Sequence, residues 1–145
     1  MQQALEDADI VAPLQRARRV DVIAAGKAAG VMLNAFASGS SVPMRSLLGI
    51  GPLRPTVLPE GTEWRDAGHP LPDDGSVAGA ERALAIARGT RPDDLLLVLL
   101  SGGGSALMAL PADGVTLTAK QQTARTLMDQ SADIYELNTD RKRVV

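Results

Sequence analysis

Cysteine is absent from the 145 residues, which excludes a disulfide framework and a thiolate metal site. Histidine occurs once, at His69, so no imidazole cluster is available to cage a metal ion with protein ligands alone. Aromatic residues make up only 2% of the chain, and packing therefore falls to Ala, Leu, Val and Met. Such small side chains allow helices to sit close on a sheet, as in layered α/β proteins. A long apolar run is missing too. The longest, residues 95–100, is far too short to cross a bilayer, and residues 1–10 carry Glu6, Asp7 and Asp9 where a signal peptide needs an apolar segment. Nor is there an excess of positive charge: 15 Lys and Arg face 17 Asp and Glu, which leaves a net charge of −2 and no basic footprint for nucleic acid. The runs Arg16-Ala17-Arg18-Arg19 and Arg141-Lys142-Arg143 are short and read as solvated or ligand-facing surface. These absences lead to the expectation of a cytoplasmic protein with neither a nucleic-acid nor a membrane partner.

What is present alternates strand-like and helix-like patterns. Val20-Asp21-Val22-Ile23-Ala24 is a short apolar run, Ala25-Gly26-Lys27 follows as a turn, and residues 28–37 place Ala28, Val31, Met32 and Ala35 at helical spacing. Prolines 43, 52, 55 and 59 exclude long helices between residues 40 and 60, where Leu47–Ile50 reads as a strand. Residues 63–67 read as another, followed by the turn Gly68-His69-Pro70-Leu71-Pro72-Asp73-Asp74-Gly75. Residues 76–88 predict a helix with Val77, Ala80 and Leu84 on its inner face, Ser76 or Asp74 as its cap and Gly89 as its stop. Leu95–Leu100 is apolar without alternation, the pattern of a central parallel strand buried on both faces. Thr118 and Gln121 predict a capping box for a final helix whose buried face is Ala124, Leu127 and Met128. The expected fold is a doubly wound α/β domain, a mainly parallel sheet with helices on both faces.

Ser101-Gly102-Gly103-Gly104-Ser105 is the strongest local signal for chemistry. It follows an apolar strand directly, where open α/β sheets place ligands. Its glycines let a ligand approach the backbone, and successive amides before a short helical segment suit a phosphate. A tight turn with nothing bound is the plainer alternative. The loop has neither the lysine of a Walker A motif nor G-x-G-x-x-G spacing. Lys27 follows the first strand and so belongs at the same end of the sheet, either to stabilise charge during group transfer or simply as an exposed lysine. His69, a lone loop histidine, reads first as a hydrogen-bonded structural residue. Asn138, Arg141 and Lys142 form a polar, basic terminus that can fork onto a carboxylate or equally lie in solvent. Magnesium remains compatible if nucleotide phosphates hold it, with Asp73 and Asp74 as nearby carboxylates that also suit helix capping.

Four segments in order carry a resemblance: Ala25-Gly26-Lys27-Ala28-Ala29, Gly68 to Asp73, Leu99 to Leu107 with its Ser-Gly-Gly-Gly-Ser core, and Glu136-Leu137-Asn138-Thr139-Asp140-Arg141-Lys142. From about Val20 onward the chain resembles the glycerate-2-kinase family, whose members carry the MOFRL domain and are often labelled hydroxypyruvate reductase. The resemblance implies phosphorylation of D-glycerate to 2-phosphoglycerate, with ATP and Mg²⁺. It implies a transfer-assisting role for Lys27, nucleotide binding by Ser101, Gly102, Gly103, Gly104 and Ser105, and substrate contacts from Asn138, Arg141, Lys142 and His69. Arg143 stands where the family commonly has histidine, and the family's sequence continues beyond the position of Val145 into a second domain. The expectation is therefore one N-terminal α/β domain, residues 1–145, truncated near 140–145 and inactive alone. Two rivals stand beside it: an NAD(P)H-dependent reductase, against which the missing dinucleotide fingerprint argues, and a non-catalytic nucleotide-binding or assembly module that forms homo-oligomers.

Overall fold

The computed structural model describes residues 8–129. In chain order the elements are α1 (Ala8–Arg16), β1 (Val20–Ala25), α2 (Ala29–Gly39), β2 (Met44–Gly51), β3 (Thr62–Asp66), α3 (Asp74–Gly89), β4 (Leu95–Leu100), α4 (Gly104–Leu107) and α5 (Leu117–Asp129). The four strands form one sheet in the order β3-β2-β1-β4, and every pairing is parallel.

Each strand's alternation feeds two separate cores. On one face Val20, Val22 and Ala24 of β1 pack with Leu14 of α1, with Leu33 and Phe36 of α2, and with Leu95, Leu97 and Leu99 of β4. On the other, Ile23 and Ala25 meet Leu48 and Ile50 of β2, Ala83 and Ile86 of α3, and Leu107 of α4. Because successive side chains point to opposite faces, both cores can exist only if both faces are covered, and the doubly wound expectation holds. Trp64, the single tryptophan, lies across Gly49 and Gly51 of the neighbouring strand: a Cβ at Gly49 would stand 2.2 Å from its ring.

Three expectations need correction. The first concerns β4, which among the described residues is not central but lies at one end of the sheet. All six residues of β1 are buried, and β1 takes the central place. In β4, Val98 is 45% exposed and Leu100 63% exposed. An unbroken apolar run reports the affinity of both faces for apolar neighbours and says nothing of how many strands flank it. The second concerns α3, which is capped by Asp73 rather than by Ser76 or Asp74. The Asp73 carboxylate accepts from the Ser76 amide at 2.9 Å, and the Ser76 hydroxyl accepts from the Asp73 amide at 3.0 Å. Its buried face is accordingly Ser76, Gly79, Ala80, Ala83 and Ile86, whereas Leu84 is exposed. The third concerns α5, where Thr116, two residues earlier than Thr118, accepts from the Ala119 amide at 3.1 Å. Gln121 is thereby free to reach across and donate to the Pro72 carbonyl at 2.7 Å.

The amino end of the sheet is tied by charge. Asp21 of β1 has no exposed surface and takes a two-pronged contact from Arg45 of β2. The Thr90 hydroxyl, just past α3, donates to the same carboxylate at 2.8 Å. Burial by itself would raise the Asp21 pKa. The hydrogen bonds from Arg45, Thr90 and Ser46, together with the Arg45 charge, outweigh it and hold the carboxyl below its ordinary value.

Candidate functional site

Parallel strands deliver their following loops to the same side, so residues 26–28 after β1, 67–73 after β3 and 101–104 after β4 all emerge at the carboxyl end. Since β1 and β4 are paired neighbours, Ala25 opposite Leu100, their loops leave the sheet side by side. They are then stitched together. The Ser101 amide donates to the Ala25 carbonyl and the Lys27 amide to the Gly102 carbonyl, each at 3.0 Å. The Ala28 amide donates to Ser101 Oγ, also at 3.0 Å.

Gly26 makes this closeness possible. Its φ of +123° is open to glycine, and a Cβ there would stand 2.2 Å from Ser101 Oγ and 2.7 Å from the Ser101 carbonyl oxygen. Ser101 thus works first as a clamp between two loops, with its hydroxyl hydrogen still able to donate outward. Further along, the Gly104 amide turns back to the Ser101 carbonyl at 3.2 Å, and the Ala106 and Leu107 amides to Gly103, both at 3.0 Å. The amides of Gly102 and Gly103 donate no hydrogen bond among the described residues. Gly102 is exposed, and nothing lies within 4 Å of where its Cβ would be. Two donors in succession are thereby left unspent in the loop that is bonded to the turn of the exposed Lys27, just before α2.

His69 joins this cluster from the β3 loop. Gly103 has a φ of +89°, and a Cβ there would come within 2.7 Å of His69 Cδ2, so the imidazole lies directly against the glycine loop. Asp73 holds the loop that carries the histidine, accepting from the Gly68 amide at 2.8 Å as well as from Ser76. Burial would raise its pKa, but the hydrogen bonds from the Ser76 and Gly68 amides and the Ser76 hydroxyl hold it below the ordinary carboxylate range. This Asp73 is committed to the backbone rather than to a metal ion. Among the described residues no group of three or more His, Cys, Asp or Glu side chains could hold one.

Of the residues singled out from the sequence, the structure brings together Lys27, Ser101, Gly102, Gly103, Gly104 and His69, with Ser105 in the first turn of α4. Asn138, Arg141 and Lys142 lie outside the described residues. Sequence reasoning placed Gly26 in the turn between an apolar strand and Lys27 but gave it no part in bringing the two loops together. It also missed the clamp role of Ser101, which no local pattern announces because its partner is 73 residues away.

A parallel α/β domain with glycine-lined turns and an exposed lysine at its carboxyl edge defines a class, that of doubly wound domains, which bind ligands outside the carboxyl ends of their strands. The chain belongs to the family described as a domain of unknown function, DUF4147, whose model matches residues 1–145. A glycerate 2-kinase from Pyrococcus horikoshii is 44% identical over 79 residues, which are 54% of this chain and 18% of that one. An Agrobacterium vitis relative whose name carries hydroxypyruvate reductase is 40% identical over 128 residues, 87% of this chain and 29% of its own. The crystal structure of glycerate kinase from Thermotoga maritima superposes with a TM-score of 0.80 at 32% identity, covering 98% of this chain and 34% of that one. The chain thus spans about a third or less of each of these relatives. No helix among the described residues is long and apolar enough to cross a membrane.

Proposed function

We propose that this domain forms the phosphate-handling wall of a glycerate kinase, an enzyme that transfers the terminal phosphoryl group of ATP to the 2-hydroxyl of D-glycerate. The observation that carries the reading is the stitched pair of loops. Lys27 and the free amides of Gly102 and Gly103 are held at one rim by backbone bonds, so they need no reordering when an anion arrives. Phosphoryl transfer is mostly positioning and charge stabilisation, and preorganised amides beside a lysine supply both. In this reading Gly102 and Gly103 receive phosphate oxygens, Ser101 fixes the spacing between the loops, and Lys27 offsets the charge that builds on the transferred group. His69, packed on the glycine loop, borders the acceptor side, with Asn138, Arg141 and Lys142 as contacts for the substrate carboxylate. The donor set suits the phosphate end of a nucleotide. It holds no carboxylate cluster for Mg²⁺ among the described residues, so the ion would be carried on the nucleotide's own phosphates. The names of the relatives favour a kinase, and the missing G-x-G-x-x-G stands against a reductase.

Calorimetric titration of the 145-residue chain with ATP–Mg²⁺ and separately with NADH tests the reading. Binding of ATP that weakens in Lys27→Ala supports it, and binding of NADH alone replaces it with the reductase. A coupled ADP-release assay with D-glycerate is expected to show turnover far below that of a full-length relative, because the chain supplies only one wall of the cleft.

A further inference from the structure

The opposite end of the sheet carries a second, differently built constellation. A pocket of about 110 Å³ is lined by Arg18, Arg19, Arg45, Arg91, Asp93 and Asp94. These residues come from the entries to β1, β2 and β4, and backbone bonds fix them against one another. The Arg18 amide donates to the Asp93 carbonyl at 3.0 Å, the Leu95 amide to the Arg19 carbonyl at 2.9 Å, and the Asp94 amide to the Arg91 carbonyl at 3.0 Å. Beneath them Arg45 is fully committed. Its guanidinium serves both Asp21 oxygens, the Gly89 carbonyl at 2.9 Å and Asp94 at 3.1 Å.

The rim is different. Arg18, Arg19 and Arg91 are exposed, and among the described residues their guanidinium groups enter no ion pair or hydrogen bond. Only the Asp93 carboxylate stands against the three of them. The buried floor, in which two carboxylates face one guanidinium, carries the opposite sign, so an anion is held at the mouth and not drawn inward. Like charges gathered on a fixed backbone cost energy unless something of opposite sign is bound between them, and planar guanidinium forks match tetrahedral oxyanions.

We infer that the Arg18–Arg19–Arg91 rim is a binding site for a small phosphate-class oxyanion. It lies one strand length, about 20 Å, from Lys27 and the glycine loop, and it stands independently of the function proposed for that loop.

Inorganic phosphate is the probe, titrated into the 145-residue chain at constant ionic strength with chloride as the balancing anion. In a ¹⁵N-edited spectrum, saturable shifts are expected at the amides of residues 18–19 and 91–95, and they should persist in Lys27→Gln. Paired substitution of Arg18→Gln and Arg91→Gln should weaken these shifts by about tenfold per guanidinium removed. Both positions are exposed, so the unfolding midpoint should stay near that of the parent. Shifts confined to residues 26–28 and 101–104 would overturn the inference, as would an equal response to chloride. The wild-type spectrum decides the question even if the double variant fails to fold.

Discussion

The two ends of this sheet solve opposite problems. At the carboxyl end the chain is held almost entirely by its backbone: glycines approach closely, amides cross between loops, and Lys27 is exposed. At the amino end side-chain charges do the fastening. Asp21 is buried completely, and Arg45 and Thr90 converge on it from β2 and from the end of α3. Backbone fastening leaves side chains and amides available for a ligand, whereas charge fastening spends Asp21 and Arg45 on the fold and leaves only the exposed rim arginines available. The comparison implies that substitutions in the buried Asp21–Arg45 network register mainly as lost stability and those of exposed side chains at either end mainly as lost binding.

The sharpest way to break that comparison is Asp21→Ala. It strips Arg45 of its principal partner in a largely buried setting, and urea unfolding should show a loss of about 3–5 kcal/mol. Gly26→Ala comes next and tests the carboxyl end by its backbone. A methyl group at φ +123° must displace Ser101, so a loss of about 2–3 kcal/mol is expected, together with weaker nucleotide binding. Asp73→Ala removes the α3 cap and should cost about 1–2 kcal/mol by the same measurement.

Acid titration extends the comparison. The Asp21 and Asp73 pKa values are both lowered by folding from 3.8. In the window between the folded and unfolded values the unfolded chain binds more protons, so the stability these carboxylates give is present above about pH 4 and is lost as pH falls through the folded values. Asp21→Asn should flatten that acid limb of the urea midpoint against pH. An unchanged limb would remove Asp21 from the account. The smallest stability effect is expected at Lys27→Ala, within about 0.5 kcal/mol, although this variant should weaken nucleotide binding most. In a full-length relative the matching change should lower kcat about ten- to thousand-fold.

Much of the layout was legible because it is written in local pattern. Strand–turn–helix succession, the apolar β4 run and the glycine loop each lie within a dozen residues, and each took the secondary structure its pattern indicates. Sheet position was not legible, because Leu95–Leu100 has the same composition whether one strand or two flank it. Caps were misplaced by one to three residues, since Asp73 and Ser76 are equally good candidates until the α3 entry geometry selects between them. The charge network at Asp21 escaped notice for a different reason. An aspartate within an apolar strand and an arginine 24 residues on have no shared local signature. At the candidate site, the positions of Lys27 and the glycine loop followed from their strands. The contact of His69 with Gly103 depends on how β3 sits two places from β1, and only the assembled sheet contains that information.

The indole laid over Gly49 and Gly51 also equips the protein with an optical gauge. Trp64 is the sole tryptophan; its ring nitrogen donates to Asp66 at 2.9 Å, and its edge borders the position next to the Gly26 carbonyl oxygen. Emission excited at the red edge of protein absorbance therefore comes from one fluorophore, on the strand two places from the one that leads into the Lys27 turn. Its wavelength maximum monitors the wetting of the β2–β3 seam as the sheet opens. Its intensity is placed to sense a ligand settling at that turn, so folding and occupancy can be read from the same cuvette without attaching a label.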